Sequence, residues 1–327
     1  MTDENQHWVP KLLLKPFADS DGRIYRLDIQ TDHVSKPPPR NAASAPGFNN
    51  FQIEGEIVSF ERKLEKVETK AAPVLKRIVD ARALTNLTPK DRKKVSDFVT
   101  VQSFRTEAFY KGLGSESPRH EFGSFFRRLW ESAFILSAMI EARHWALMVI
   151  ENDDIFYLGD QPVVLQRTHD PKNGSNLGFD VKGVEAFLPL SPKCALYLPC
   201  RSVSHKIIAR YHAAMSLHKA VRTAVFRGVS GEAAELKMAQ ETIRLTHELY
   251  QAFTTGSPIK AQKPHIENLN YLQCSWAHAG IYSNRRDFTF ARHVFKKSPQ
   301  YRSTPNTRLL DGTALVPDSA KTLADGW

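Results

Sequence analysis

Cysteine is scarce. The 327 residues hold three, Cys194, Cys200 and Cys274, at spacings that match neither a zinc motif nor a CxxC pair. An odd and scattered set excludes a disulfide framework and predicts reduced thiols. Long apolar runs are also missing: the best window, Ala133 to Ile150, is broken by Glu141, Arg143 and His144, so no membrane span is expected. The opening MTDENQHWV lacks a basic stretch followed by an apolar one, so no secretory signal is expected and the protein reads as cytoplasmic. No glycine-rich phosphate loop of Walker or dinucleotide type is present, Ser191 lies in Leu-Ser-Pro rather than in a Gly-x-Ser-x-Gly elbow, and His247-Glu248 has no second histidine four residues after the first. His205, His212 and His218 are spaced by seven and six, not by the three or four that a helical metal site uses. These absences remove P-loop, dinucleotide-binding, elbow-serine and zincin chemistries, and predict neither metal nor cofactor.

What is there makes an ordinary folded chain. Apolar residues at 42% and charged residues at 24% allow a sizeable core. The length fits one large domain over 1–297, or two tightly packed lobes over about 5–150 and 151–297, with a loosely held polar tail over 298–327. Lysine and arginine number 45 against 35 acidic residues, and the resulting +10 favours anionic partners without saying which.

Asp19-Ser20-Asp21-Gly22 reads as a turn feeding a half-buried strand in which Tyr25, Leu27 and Ile29 alternate with polar residues. Residues 35–50, with three consecutive prolines, read as a loop or tether. Ile57, Phe60, Leu64, Val67, Ala71, Leu75 and Ile78 recur at helical steps and predict an amphipathic helix kinked at Pro73. Thr88, Pro89 and Asp91 form a start signal for the next helix. Its apolar stripe runs from Val95 and Phe98 onto Gln102 and Arg105, two hydrogen-bonding side chains where core belongs. A third helix, apolar on a wide face, is expected from Phe122 to Val149. After Asn152 the runs IFYLGDQPVVL and VEAFLPLSPKCALYL predict buried strands, separated by the loop HDPKNGSN, with Pro192 and Pro199 confining the second run to an edge or splitting it. Helices follow from about Ser202 to Arg227 and from about Gly231 to Thr254, the latter ended by Gly256, with a shorter one from Ile266. The expected class is α+β: mostly helical, with a small, mainly antiparallel sheet built from the N-terminal strand and the strands between 153 and 200.

Several short motifs occur in a telling order: Gln6-His7-Trp8-Val9-Pro10, Lys66-Val67-Glu68, Phe98 to Gln102 followed by Arg105-Thr106, Gly159-Asp160-Gln161-Pro162-Val163, Leu188-Pro189-Leu190-Ser191-Pro192, Asn270 to Gln273 and Ile281-Tyr282-Ser283. Together they resemble domain-of-unknown-function family 4238 over roughly residues 5 to 285, with Glu107 where the family pattern has proline. The resemblance implies no reaction.

His7, Glu68, Gln102, Arg105 and Asp160 are polar residues at these motifs or on otherwise apolar faces. In one cleft they would place a histidine acid or base beside an orienting carboxylate and an arginine that grips an anion, which suits phosphate chemistry. Alternatively Arg105 pairs with Glu68 across two helices, Gln102 satisfies a backbone group and Asp160 caps a turn. Near the C-terminus Arg285, Arg286, Arg292, Lys296 and Lys297 interleave with Phe288, Phe290, Phe295 and Tyr301, a mixture suited to RNA or DNA if the aromatics are free, and a solvated basic surface if they are core. Three readings result: a nucleic-acid-directed protein, in its fullest form a metal-independent phosphodiesterase; a non-enzymatic module binding nucleic acid or a protein; and a hydrolase or transferase acting on a small anionic metabolite.

Overall fold

The structure, a computed structural model, describes residues 5–112, 123–167, 178–226 and 233–302. Strand β1 (Asn5–His7) leads past Pro10 into a one-turn helix α1 (Lys11–Leu14) and a 3-10 turn at Lys15–Phe17. In the predicted turn, an Asp19 carboxylate oxygen accepts from the amides of Asp21 and Arg23, and Gly22 takes a φ of 70°. The alternating segment is β2 (Tyr25–Asp28), followed by β3 (Val34–Ser35). The proline-rich segment is more ordered than a tether, because after a 3-10 turn at Pro39–Asn41 it forms β4 (Ser44–Pro46) and pairs antiparallel with β1, His7 opposite Ser44.

A hairpin of β5 (Asn50–Ile53) and β6 (Glu56–Ser59) precedes helix α2 (Glu61–Ala81), which runs through Pro73 as one helix. Ile57 matched the helical spacing but belongs to β6. Glu54 and Gly55, with φ of 54° and 86°, reverse the chain just before it, and its side chain is 58% exposed. Helix α3 (Pro89–Phe104) starts at the predicted cap, with both capping-box hydrogen bonds between Thr88 and Asp91. Next come α4 (Glu107–Gly112) and α5 (Gly123–Glu141); the latter is shorter than its apolar pattern, and the residues after Trp145 form strand β7 (Ala146–Val149). Strands β8 (Leu158–Gly159), β9 (Val164–Arg167), β10 (Val184–Ser191) and β11 (Cys194–Pro199) follow, then α6 (Arg201–Phe226) and α7 (Ala233–Thr255), with Gly256 at a φ of 77° just after it. The chain closes with β12 (Ile259–Lys260), α8 (Lys263–Trp276), β13 (Gly280–Ser283), α9 (Thr289–Lys297) and a 3-10 turn at Pro299–Tyr301. The predicted loop HDPKNGSN lies outside the described residues, as does the tail from 303. Residues just before that tail are held: Tyr301 is buried and its hydroxyl bonds that of Tyr271 at 2.5 Å.

The α+β class stands, but one small sheet is replaced by several. A five-stranded sheet has the order β12-β7-β11-β10-β9, with only the β12–β7 pair parallel, and a four-stranded sheet has the order β3-β2-β13-β8. Pro192 splits the run VEAFLPLSPKCALYL into a hairpin, so β10 and β11 lie side by side inside the sheet, buried at every position and not at its edge. Pro189, which has no amide to donate, sits at a register shift between Pro189 and Ser191. The N-terminal strand β2 lies in the four-stranded sheet, paired with β3 and with β13 from the far end of the chain; of the strands between 153 and 200 only β8 joins it there, and it makes no pair with β9, β10 or β11. The largest apolar cluster runs from Val9 through Val95, Leu147 and Leu196 to Leu269 and Tyr282, so residues from both halves share one core. Among the described residues no helix is long and apolar enough to cross a membrane, and the three cysteines are unpaired.

Candidate functional site

Where β1 ends, the carbonyl of Trp8 has no strand to accept from. Two side chains from the end of α3 supply the bonds: Gln102 Nε2 donates to it at 2.8 Å and Arg105 Nε at 3.4 Å. Arg105 Nη1 also pairs with Glu68 Oε1 of α2 at 2.6 Å. Gln102 and Arg105 are 0% and 1% exposed, so the polar break in the apolar stripe is buried and hydrogen-bonded as the pattern predicts. Arg105 Nη2 and Gln102 Oε1 have no hydrogen-bond partner among the described residues. His7 stands beside this group at 8% exposure. Desolvation, and then the charges of Lys11 and Arg105, push its imidazole down to about 4, so it is neutral at pH 7. Its Nε2 has no hydrogen-bond partner among the described residues. The neighbouring Gln6 accepts from the amide of Asn49 at 2.6 Å, and Asn49 Nδ2 donates at 2.6 Å to Glu61, a carboxyl raised by burial.

The structure thus brings His7, Glu68, Gln102 and Arg105 together. Asp160 has other partners. It lies just after β8, 2% exposed, and accepts from the amides of His278, Ala279 and Gly280 at 2.8, 2.7 and 3.2 Å. Burial pushes its carboxyl up to about 6 in spite of those bonds. Its neighbour Gln161 accepts from the Thr106 hydroxyl. In the same manner Gln273 Oε1 accepts from Gly159 N at 2.7 Å while its Nε2 donates to Pro162 O at 3.0 Å, and Asn270 bonds the backbone of Tyr157 and Ile155. Most of these motif side chains do one job: they hydrogen-bond backbone groups inside the core, at loops and at strand ends. Arg143 does so for the carbonyls of Phe179, Val184 and Leu198. Its signal in the sequence was an arginine interrupting the most apolar window of the chain.

Glu68 also faces outward. It lines a cleft of about 780 Å³ between the α1 segment and α2, whose charged residues are Lys11, Lys15, Glu68, Lys76 and Asp80 and whose apolar wall includes Leu12, Leu13, Leu75, Val79 and Leu190. Sequence reasoning missed this cleft because its two walls are some sixty residues apart, and the motif residues that line it, Glu68 and Leu190, carry no signal of a shared opening.

The C-terminal tract divides. Phe288, Phe295 and Tyr301 are buried, so three of the four aromatics that were to stack on bases are core, and Phe290 is half-buried against them. Arg292 pairs with Asp32 at 3.1 Å, and Arg285 donates to the carbonyl of Asp153 in a pocket shared with Asp154, Glu267 and Asp287. Arg286, Lys296 and Lys297 are exposed. A second basic surface went unrecognised. Helix α6 has no aspartate or glutamate, and Arg201, Lys206, Arg210, Lys219 and Arg222 are all exposed. None of them makes an ion pair among the described residues. Beside them, where α6 packs on α7, Tyr211 and Tyr250 stack at 4.2 Å between centroids, and His212 and His247 flank the pair. The signal was a 26-residue helix with cations of one sign and no anion. Among the described residues no group of three or more His, Cys, Asp or Glu is placed to hold a metal ion.

In comparison with known proteins, the chain matches the family described as "Protein of unknown function (DUF4238)" over residues 5–129 and 131–287. No curated protein and no solved structure matches it.

Proposed function

The chain belongs to the DUF4238 family, a membership that brings no reaction with it, and from that premise we propose that the protein binds nucleic acid through the exposed cations of α6 and does not cleave it at the buried constellation. The observation that supports binding is the exposed surface of this helix: Arg201, Lys206, Arg210, Lys219 and Arg222 are spread round its solvent side without a carboxylate on the helix, beside the half-buried rings of Tyr211 and Tyr250. Unpaired cations on one rigid element neutralise a phosphate backbone and release its counterions, and adjacent rings offer a stacking surface for bases.

A role in cleavage would require Arg105 and His7 to reach a phosphate. Arg105 is instead held by Glu68 and the Trp8 carbonyl at 1% exposure, and Asp160 is occupied by the 278–280 amides, which supports reading the group as the anchor of the N-terminal segment. The test is a titration of the full chain with labelled single-stranded RNA, single-stranded DNA and duplex DNA at rising salt. Replacing Lys206, Arg210, Lys219 and Arg222 together by Gln is expected to weaken binding and to lower the slope of log K against log salt by nearly one for each phosphate that is no longer neutralised. Failure of the unaltered protein to bind any of the three at low salt, or an unchanged slope in the variant, overturns the proposal.

A further inference from the structure

The cleft between α1 and α2 is a second feature, independent of the α6 surface. Its volume of about 780 Å³ is within the range of small-molecule sites. Its charges sort into two kinds. Lys76 pairs with Asp80 at 2.6 Å and Glu68 pairs with Arg105 at 2.6 Å, so both carboxylates of the lining already have cations. Lys11 and Lys15, one helical turn apart on the opposite wall, are exposed and have no ion pair among the described residues. Around them the wall is aliphatic, through Leu12, Leu13, Leu75 and Val79 to Leu190 at the floor.

We propose that this cleft binds an anion with an apolar body, its charged head against Lys11 and Lys15 and its body along the aliphatic wall of α2. A compact, strongly hydrated anion such as free phosphate would leave that wall wet, and a neutral apolar molecule would leave the lysine pair unused. An apolar anion satisfies both halves.

Three probes with one decyl body separate the contributions: decanoate, decanol and decyltrimethylammonium, each titrated calorimetrically into the full chain, the two ions below their micelle concentrations and decanol below its solubility limit. Decanoate is expected to bind at least about tenfold tighter than decanol, and the ammonium compound weakest of all. Inorganic phosphate, as a fourth titrant, is expected not to compete. The double variant Lys11→Gln/Lys15→Gln is expected to bring decanoate down to the affinity of decanol. Ala72→Trp, at a half-buried position on the α2 wall, is expected to abolish binding of both. If Ala72→Trp lowers the thermal midpoint, Thr69→Trp at an exposed position of the same wall blocks the cleft instead. Equal binding of all three probes overturns the anionic assignment. Decanoate binding that survives both tryptophans overturns the location, and absence of decanoate binding overturns the proposal outright.

Discussion

At the scale of single residues, most of the unusual side chains are backbone partners, and that has measurable consequences. Arg105 is the desolvated member of its pair, so Glu68→Ala leaves a buried guanidinium uncompensated and is expected to cost about 3 kcal/mol in a urea titration, the low end for breaking a buried pair because water enters beside the half-buried Glu68. Glu68→Gln, which still offers an oxygen to Nη1, is expected to cost less. A midpoint unchanged by Glu68→Ala would show that the pair holds nothing. The histidines set the acid response. His7 and His265 are each pushed down to about 4 by burial, so between pH 6.5 and 4 the unfolded chain takes up protons that the folded one refuses, and stability falls as pH falls through that window. Asp160, pushed up to about 6, acts with the opposite sign: the folded state keeps a proton the unfolded chain has lost, so its contribution falls as pH rises from about 4 to 6. His144, lowered by burial, acts with the two histidines, and Glu61 and Glu248, raised by burial, act with Asp160; the two large histidine shifts outweigh the rest and predict a net loss on acidification. Urea midpoints at pH 7 and pH 5 check this, with His7→Gln expected to narrow the difference and a pH-independent wild type contradicting it.

At the scale of elements, caps and turns decide boundaries. The start of α3 was legible because Thr88, Pro89 and Asp91 act through local geometry alone, and the structure forms both capping bonds. Thr88→Ala is expected to cost about 1 kcal/mol in thermal or urea unfolding, with no effect on the rest of the fold. The end of α7 depends on Gly256 for two reasons. Its φ is 77°, and a Cβ there would stand 2.7 Å from the Leu84 carbonyl carbon and 2.8 Å from its oxygen, so Gly256→Ala is expected to destabilise by more than about 1 kcal/mol. A neutral Gly256→Ala would mean that the 84–85 loop gives way freely. The start of α2 was not legible, since Ile57 fits a helical period and a hairpin equally well and only the positive φ at Glu54 and Gly55 separates them.

Over the whole molecule, the net charge is +10, and two basic surfaces differ in the acidic residues that accompany them. In the C-terminal tract, Asp153, Asp154, Glu267 and Asp287 surround Arg285, and Arg292 is tied to Asp32. On α6 no carboxylate is present. Neutralising Arg285, Arg286, Lys296 and Lys297 together is therefore expected to lower the salt slope of nucleic-acid binding less than the α6 replacements do. The reverse order would move the interface to the C-terminal tract.

Composition and periodicity by themselves determined the α+β class, the burial of Gln102 and Arg105, the cap at Thr88 and the stop at Gly256, because each depends on side chains within one or two helical turns of one another. Family membership was equally legible, as an order of short motifs. Tertiary structure alone decided that Glu68 closes on Arg105, that Asp160 serves the 278–280 amides, that β2 pairs with β13, and that the aromatics of the C-terminal tract turn inward. These depend on which segments meet across more than thirty residues of chain, where local period and propensity are silent. The cleft beside Lys11 and Lys15 belongs to the same class, for it exists only where α1 meets α2.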